Sequence, residues 1–164
     1  MKRALALLLL LLPVAAGAAA PIDGVWLVQE KDAHIRIGIF QGARVGRIVF
    51  VRDSLDTSGH LRRDHKNPDP ALRGHVMRDL VIVSALEPTS RDSTHWKAKV
   101  YDPRNGKTYS AKISLPSPDK LDLRGYVGVS LLGRTAHWTR LHEPPAEPPA
   151  EDTKPGPGPA LKTK

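Results

Sequence analysis

Short runs in which apolar and polar residues alternate, each ending at a turn signal, recur through the middle of the chain. The run His34–Ile39 places its isoleucines on one face of an extended backbone, and Thr94–Tyr101 groups Trp96, Ala98 and Val100 in the same way. No heptad and no long stretch of helical period occurs between them. Runs of this length and period are typical of half-buried β-strands, so the chain predicts an all-β fold.

About eight such segments are separated by short connections. They span Gly24–Gln29, His34–Ile39, Gly46–Val51, Leu80–Val83, Thr94–Tyr101, Lys107–Leu115, Leu121–Val127 and Leu131–Arg140. The turns Gln41-Gly42 and Asp102–Gly106 are rich in the residues that tight hairpins require. Because consecutive strands joined by short turns pair in antiparallel fashion, we expect a single antiparallel barrel of about eight strands.

The two ends of the chain differ in composition from the middle. Residues 1–18 join a positive start, the apolar run Ala4–Val14 and a small-residue segment, which is the pattern of a secretory signal peptide. That run is about half of the roughly 20 residues that a membrane-spanning helix needs. Residues 143–164 repeat Glu-Pro-Pro-Ala and predict a disordered, proline-rich tail. We therefore expect a barrel domain over 19–142 in a periplasmic or secreted protein without a transmembrane segment after cleavage.

Charge and cysteine content restrict the partners and the chemistry. The 164 residues include no cysteine, which excludes disulfides, cysteine-based zinc sites, iron–sulfur clusters and thiol nucleophiles. The net charge of +8 is of a kind that attracts nucleic acid, anionic lipid headgroups or acidic glycans. An exported protein rarely meets nucleic acid, and no base-stacking motif is present, so we expect no nucleic-acid partner. A solvated basic surface is favoured over any specific anionic partner.

One connection, Arg52–His75, is long and carries most of the polar side chains that could bind a ligand. Connections longer than about 12–15 residues in a compact domain are usually functional or contain a short helix. We expect this one to cap an end of the barrel and to supply the polar residues of its mouth. The candidate ligand-binding residues are Arg62, Asp64, Asn67, Asp69 and Arg73.

The same residues allow other interpretations, which are less favoured. Asp64, Asn67 and Asp69 could hold a hard cation through oxygen ligands, but the Gly and Glu of a calcium loop are missing, so Asx turns at Asn67-Pro68 and Asp69-Pro70 are the better interpretation. Asp102 is expected to cap its hairpin. Hydrolase motifs and a phosphate loop are absent, so we predict no catalytic residue, no metal and no cofactor.

Several sequence blocks resemble those of the DUF2147 family in order and spacing. The blocks are Gly24-Val25-Trp26, Gly46–Val49, Asp64–Arg73, Tyr101–Tyr109, Leu123–Gly128 and Gly133–Arg140. The resemblance implies an exported bacterial protein with a lipocalin-like barrel and no established activity. Two departures exist: many members carry Gly-Gly where this chain has Lys97-Ala98-Lys99, and some carry a cysteine pair that is absent here.

Gly24, Trp26 and Arg140 resemble the closure device of lipocalins. In a closed barrel the first and last strands are neighbours, so an arginine on the last strand can stack on an indole of the first and donate to nearby carbonyls. We predict this structural role for Arg140, with Arg134 as the alternative stacking partner. A ligand contact is the less favoured interpretation.

The sequence is compatible with three functions. The leading hypothesis is a noncatalytic exported protein that binds a small, largely apolar ligand inside the barrel. The alternative is an envelope interaction protein that contacts anionic surface polymers or a protein partner. A hydrolase using Asp64 or Asp102 with a histidine is the least favoured. Small interior side chains would support the first hypothesis, and filling by Phe, Trp or Leu would oppose it; with only two Phe, the ligand hypothesis is favoured.

Overall fold

The computed structural model describes residues 19–89, 91 and 93–142. It contains the strands β1 (Gly24–Leu27), β2 (Ala33–Phe40), β3 (Ala43–Val51), β4 (Val81–Pro88), β5 (His95–Asp102), β6 (Lys107–Ser117), β7 (Lys120–Tyr126) and β8 (Arg134–Leu141). Two short 3₁₀ helices, Pro70–Leu72 and Ser130–Leu132, lie in the connections. The expected signal peptide (1–18) and the expected tail (143–164) lie outside the described residues.

The eight strands form one closed barrel in which each strand pairs with the next and β8 pairs with β1. Every pairing is antiparallel. The prediction of a single all-β antiparallel barrel is confirmed. Successive strands run in opposite directions because most connections are too short to allow anything but a reversal of the chain. At the β2–β3 turn, both Gln41 and Gly42 adopt the positive φ of a tight hairpin.

Strands that alternate in direction gather their connections at two ends. The connections 28–32, 52–80, 103–106 and 127–133 lie at one end, which we call the loop end. Residues 19–23, the turn at 41–42 and the β6–β7 turn at 118–119 lie at the other, which we call the closed end. Any entrance to the barrel is therefore bordered by the long β3–β4 connection.

The interior of the barrel near the closed end is filled by large aromatic side chains. Trp26, Trp96 and Trp138 are 0%, 3% and 6% exposed, and they pack in one core with the aliphatic side chains of β2, β3 and β4. Ile39, which alternation assigns to the inner face, is 50% exposed because it lies next to the turn, beyond the packed interior.

Smaller side chains lie one step nearer the loop end. Ala98 on β5, Ala111 on β6 and Gly125 on β7 are direct cross-strand neighbours and face the interior as one row. The interior therefore contains both large side chains, near the closed end, and small side chains, nearer the loop end.

Among the described residues, no helix has the length and apolar character needed to cross a membrane.

Candidate functional site

The closed end is sealed by an arginine stacked on a tryptophan. Trp26 on β1 and Arg140 on β8 are direct partners across the seam, and the guanidinium carbon lies 4.2 Å from the indole centroid. The indole Nε1 donates to the carbonyl of Ile22 at 2.9 Å, and Ile22 is itself fully buried. Arg134, the alternative partner, lies on β8 opposite Gly125, toward the loop end.

Arg140 also ties three backbone segments together. Its Nη1 and Nη2 donate to the carbonyls of Asp23 and Pro21, each at 2.6 Å, and its Nε donates to the carbonyl of Pro118 at 2.7 Å. Gly24 makes room for this, because a Cβ at that position would overlap Arg140 Nη1, and its φ of +141° disfavours other residues. The structure thus brings the three predicted closure residues into one cluster.

A second cluster forms where the β3–β4 connection meets the barrel wall. Asp64 and Asn67 are 0% and 1% exposed. The Tyr101 hydroxyl donates to Asp64 Oδ1 at 2.8 Å, and Asn67 Nδ2 donates to Asp64 Oδ2 at 2.7 Å. Alternation puts Tyr101 on the outer face of β5 with the exposed Lys97 and Lys99, yet it is only 2% exposed because this connection covers it.

The other candidate ligand residues surround this cluster. Asp69 N–H donates to the side-chain oxygen of Asn67, and the Asp69 carboxylate accepts from Ala71 N–H, so both predicted Asx turns are present. Arg73 Nε donates to the carbonyl of Asn67 at 2.7 Å. Arg62 Nε donates to the carbonyl of Leu55 at 3.0 Å. These three side chains remain exposed.

The cluster fastens the long connection to the β5–β6 hairpin. Lys66 Nζ donates to the carbonyl of Arg104 at 2.6 Å, and the backbone of Gly106 approaches Lys66 so closely that a Cβ would overlap its carbonyl oxygen. With both carboxylate oxygens of Asp64 occupied and no solvent exposure, Asp64 and Asn67 are committed to holding the connection. A ligand-binding role stays a prediction, and it applies best to the exposed Arg62, Asp69 and Arg73.

Both carboxylate oxygens of Asp102 accept hydrogen bonds within the β5–β6 hairpin. Its Oδ1 accepts from the backbone N–H of Arg104 at 3.0 Å, and its Oδ2 accepts from Asn105 Nδ2 at 2.9 Å. The side-chain oxygen of Asn105 in turn accepts from Lys107 N–H. The carboxylate therefore acts as the turn cap that the sequence predicts. Among the described residues, no group of three or more histidines and acids is close enough to hold a metal ion.

Sequence reasoning missed the exposed apolar residues of the loop end. Among the described residues, all the exposed large hydrophobic side chains except Ile39 lie there, namely Phe50, Leu55, Leu61, Val127, Val129, Leu131 and Leu132. The prediction that Val127 and Leu131 lie in strands is wrong, because β7 ends at Tyr126 and β8 begins at Arg134. The available signal is the pair Gly128 and Gly133, which flanks Val129–Leu132, because glycine weakens the interior of a strand.

The family of the chain follows from a match across this architecture. The model of the DUF2147 family, described as "Uncharacterized protein conserved in bacteria", matches residues 24–140. The chain belongs to the DUF2147 family. The matched residues run from the closure glycine on β1 to the closure arginine on β8, so the family region is the barrel itself.

A solved structure supports the same fold for this DUF2147 protein. It is a protein of Helicobacter pylori described as belonging to the lipocalin family, with a TM-score of 0.61 and 23% identity. The match covers 75% of this chain and 84% of that chain. No curated protein matches the chain. The lipocalin-like barrel expected from the sequence is thereby confirmed.

The buried hydroxyl of Tyr101 gives the DUF2147 barrel a testable dependence on pH. Burial, and then the hydrogen bond to Asp64, raise the pKa of Tyr101 above its ordinary value. Because the unfolded chain ionises this tyrosine near pH 10 and the folded chain does not, the stability that it contributes is full below about pH 10 and is lost as the pH rises further. The free energy of unfolding of Tyr101→Phe should fall less steeply there, by up to about 1.4 kcal/mol per pH unit. Urea titrations from pH 8 to pH 11 would measure this, and parallel slopes for both proteins would contradict it.

Proposed function

We propose that this DUF2147 protein is exported and binds a small, largely apolar molecule at the loop end of its barrel without catalysing a reaction. The observation that carries the proposal is the asymmetry of the two ends. The Trp26–Arg140 seal blocks one end, whereas exposed apolar side chains gather at the other. Eight-stranded barrels have interiors of the size that holds one small ligand, with entry through a single mouth.

The position of the ligand follows from the packing of the interior. The three buried tryptophans fill the half nearest the seal, so a ligand is accommodated nearest the loop end. There the wall contributes its smallest side chains, the row of Ala98, Ala111 and Gly125. The exposed Arg62, Asp69 and Arg73 of the β3–β4 connection would contact any polar group of the ligand.

Leu55 and Leu61 provide a test that leaves the barrel wall intact. They face each other across a bridge within the β3–β4 connection and are 50% and 45% exposed. Replacing both with serine should weaken binding of the apolar fluorescent probe N-phenyl-1-naphthylamine by about tenfold, because two leucine side chains lose their contact with it. Ile39→Ser, at the closed end, is the matched control and should leave the affinity unchanged. Equal affinities for all three proteins would overturn the proposed position.

Export and the natural ligand are tested on protein isolated from the bacterium that makes it. Native mass spectrometry of the periplasmic fraction should show a chain without its first 18 or so residues, carrying a small molecule that is released on denaturation. A full-length chain confined to membranes would contradict export. A processed chain without any retained molecule, and without affinity for apolar probes, would contradict ligand binding.

A second candidate function is contact with an anionic component of the cell envelope. It is favoured by a row of cations on the outer face of the barrel, Lys97 on β5, Lys112 on β6 and Arg124 on β7, which are direct cross-strand neighbours. Like charges placed opposite each other destabilise a sheet. An anionic partner would relieve this repulsion.

A further inference from the structure

We propose that the β7–β8 connection and the adjacent cation row form a docking surface for an anionic lipid bilayer. This inference deepens the second proposed function, because it names the anionic component. It does not depend on a ligand inside the barrel. The occupant is chosen by the combination of exposed aliphatic side chains with cations, which is the composition that peripheral proteins present to the interface of a charged membrane.

The apolar part of the surface is a short projection between β7 and β8. Val127, Val129, Leu131 and Leu132 are 74%, 62%, 84% and 81% exposed. Exposed apolar side chains contribute no free energy of burial to folding, and a cluster of them marks an interaction site. The stretch 127–133 contains no acidic residue, so no carboxylate opposes its entry into a headgroup layer.

The projection is held in its shape by the cations beneath it. Arg124 donates through Nε to the carbonyl of Ser130 at 2.7 Å and through Nη2 to the carbonyl of Leu131 at 2.9 Å. Lys112 Nζ donates to Ser130 Oγ at 3.2 Å. Since the 3₁₀ helix that carries both leucines is fixed in this way, its insertion costs little ordering of the backbone.

These contacts also make the two parts one continuous surface. Lys112 and Arg124 belong to the cation row and touch the projection, and Lys97 extends the row onto β5. The exposed Lys99 lies on β5, one step nearer the loop end than Lys97 on the same face. With the leucines in the acyl boundary, these cations would lie at the level of the phosphates.

Two acidic residues border the row without cancelling it. Glu87 on β4 lies opposite Lys97. Asp122 on β7 contacts His137 Nδ1 at 2.7 Å, on the side of the row away from the loop end. Neither of these two carboxylates lies at the Ser130 contacts of Lys112 and Arg124, where the charge of an anionic bilayer would meet the row. An acidic polysaccharide would bind the cations but would not bury the four exposed aliphatic side chains.

The first experiment measures sedimentation of the purified chain with vesicles. Vesicles of phosphatidylcholine and phosphatidylglycerol in equal amounts are compared with vesicles of phosphatidylcholine alone. We expect binding to the anionic vesicles that weakens as salt is added, and at least about tenfold weaker binding for Leu131→Ser with Leu132→Ser, because the apolar contact is lost. Lys97→Gln with Lys112→Gln should remove the preference for anionic vesicles.

The control variants match these changes elsewhere on the barrel. Ile39→Ser and Lys120→Gln alter an exposed aliphatic side chain and an exposed lysine at the closed end. Both should bind vesicles as the unaltered chain does. Because every variant shares the same chain ends, any contribution of residues 1–18 or 143–164 is equal in all of them.

A second measurement reports insertion directly. The native tryptophans are buried, so a tryptophan introduced by Leu131→Trp would be the exposed one among them. Its emission should be quenched by brominated phosphatidylcholine in anionic vesicles, and that of Ile39→Trp should not.

Absence of quenching, or unchanged binding after removal of both leucines, would overturn the lipid proposal. Binding to polygalacturonate that depends on Lys97 and Lys112, without binding to vesicles, would also overturn it while leaving the broader anionic contact intact. Failure to bind either would overturn both.

Discussion

Replacing Trp26 with alanine is expected to lower the free energy of unfolding by about 3–5 kcal/mol, as for other fully buried large-to-small changes. The indole is 0% exposed and lies under the guanidinium of Arg140, so its removal opens a void that the closed seam cannot fill by a local shift. Urea denaturation followed by circular dichroism gives the value. A loss below about 1 kcal/mol would show that the closed end does not depend on this side chain.

Arg140→Ala should cost less than Trp26→Ala, because it leaves the indole in place, but three backbone carbonyls lose their donor. The two substitutions should be non-additive, with a coupling of about 0.5–2 kcal/mol in a double-mutant cycle. Additive losses would mean that the stacking in the structure contributes nothing. Arg134→Ala, which changes an exposed arginine on the same strand, is the control and should stay within about 0.5 kcal/mol of the parent.

Asp64→Ala carries the second large expected effect. It leaves the Tyr101 hydroxyl and the Asn67 amide buried without the carboxylate that both donate to. Since each buried donor without a partner costs about 1–3 kcal/mol, the free energy of unfolding should fall by about 3–5 kcal/mol. The β3–β4 connection should also become susceptible to proteolysis, because its attachment to the barrel wall is lost.

Asp69→Ala is the matched control for this change. Asp69 lies five residues further along the same connection, and its exposed carboxylate accepts one backbone N–H at the start of a 3₁₀ helix. Its loss should cost about 1 kcal/mol at most. If Asp64→Ala were no more costly than Asp69→Ala, the buried carboxylate would not anchor the connection, and a ligand-binding role for Asp64 would regain support.

The barrel and its seam are predictable from the sequence. Alternation of apolar and polar residues at a period of two assigns residues such as Ile35 and Ile37 to one face of the sheet. Hairpin turns such as Gln41-Gly42 bring consecutive strands side by side, so that they pair in antiparallel fashion. Closure then brings the first and last strands together. The sequence predicts the pairing of Arg140 with Trp26 because closure of the barrel makes the first and last strands neighbours, whatever the conformation of the loops.

The contacts of the long connection could not be read from the sequence. Tyr101 occupies a position that alternation assigns to solvent, and its burial depends on Asp64, 37 residues earlier in the chain. The sequence therefore predicts a ligand site at these polar residues, although Asp64 and Asn67 hold the connection to the barrel wall. Polarity alone does not distinguish a side chain that binds a ligand from one that is hydrogen-bonded within the protein.

The β7–β8 connection shows the converse limit. In sequence Val127–Leu132 continues the apolar character of the strands around it, and hydrophobicity predicts burial. In the folded barrel Arg124 and Lys112 instead donate to the carbonyl and hydroxyl of Ser130, and the valines and leucines around it are exposed. Local pattern determines strands because each residue's face depends on its immediate neighbours; the exposure of a loop depends on side chains from other strands, whose positions are decided only when the barrel closes.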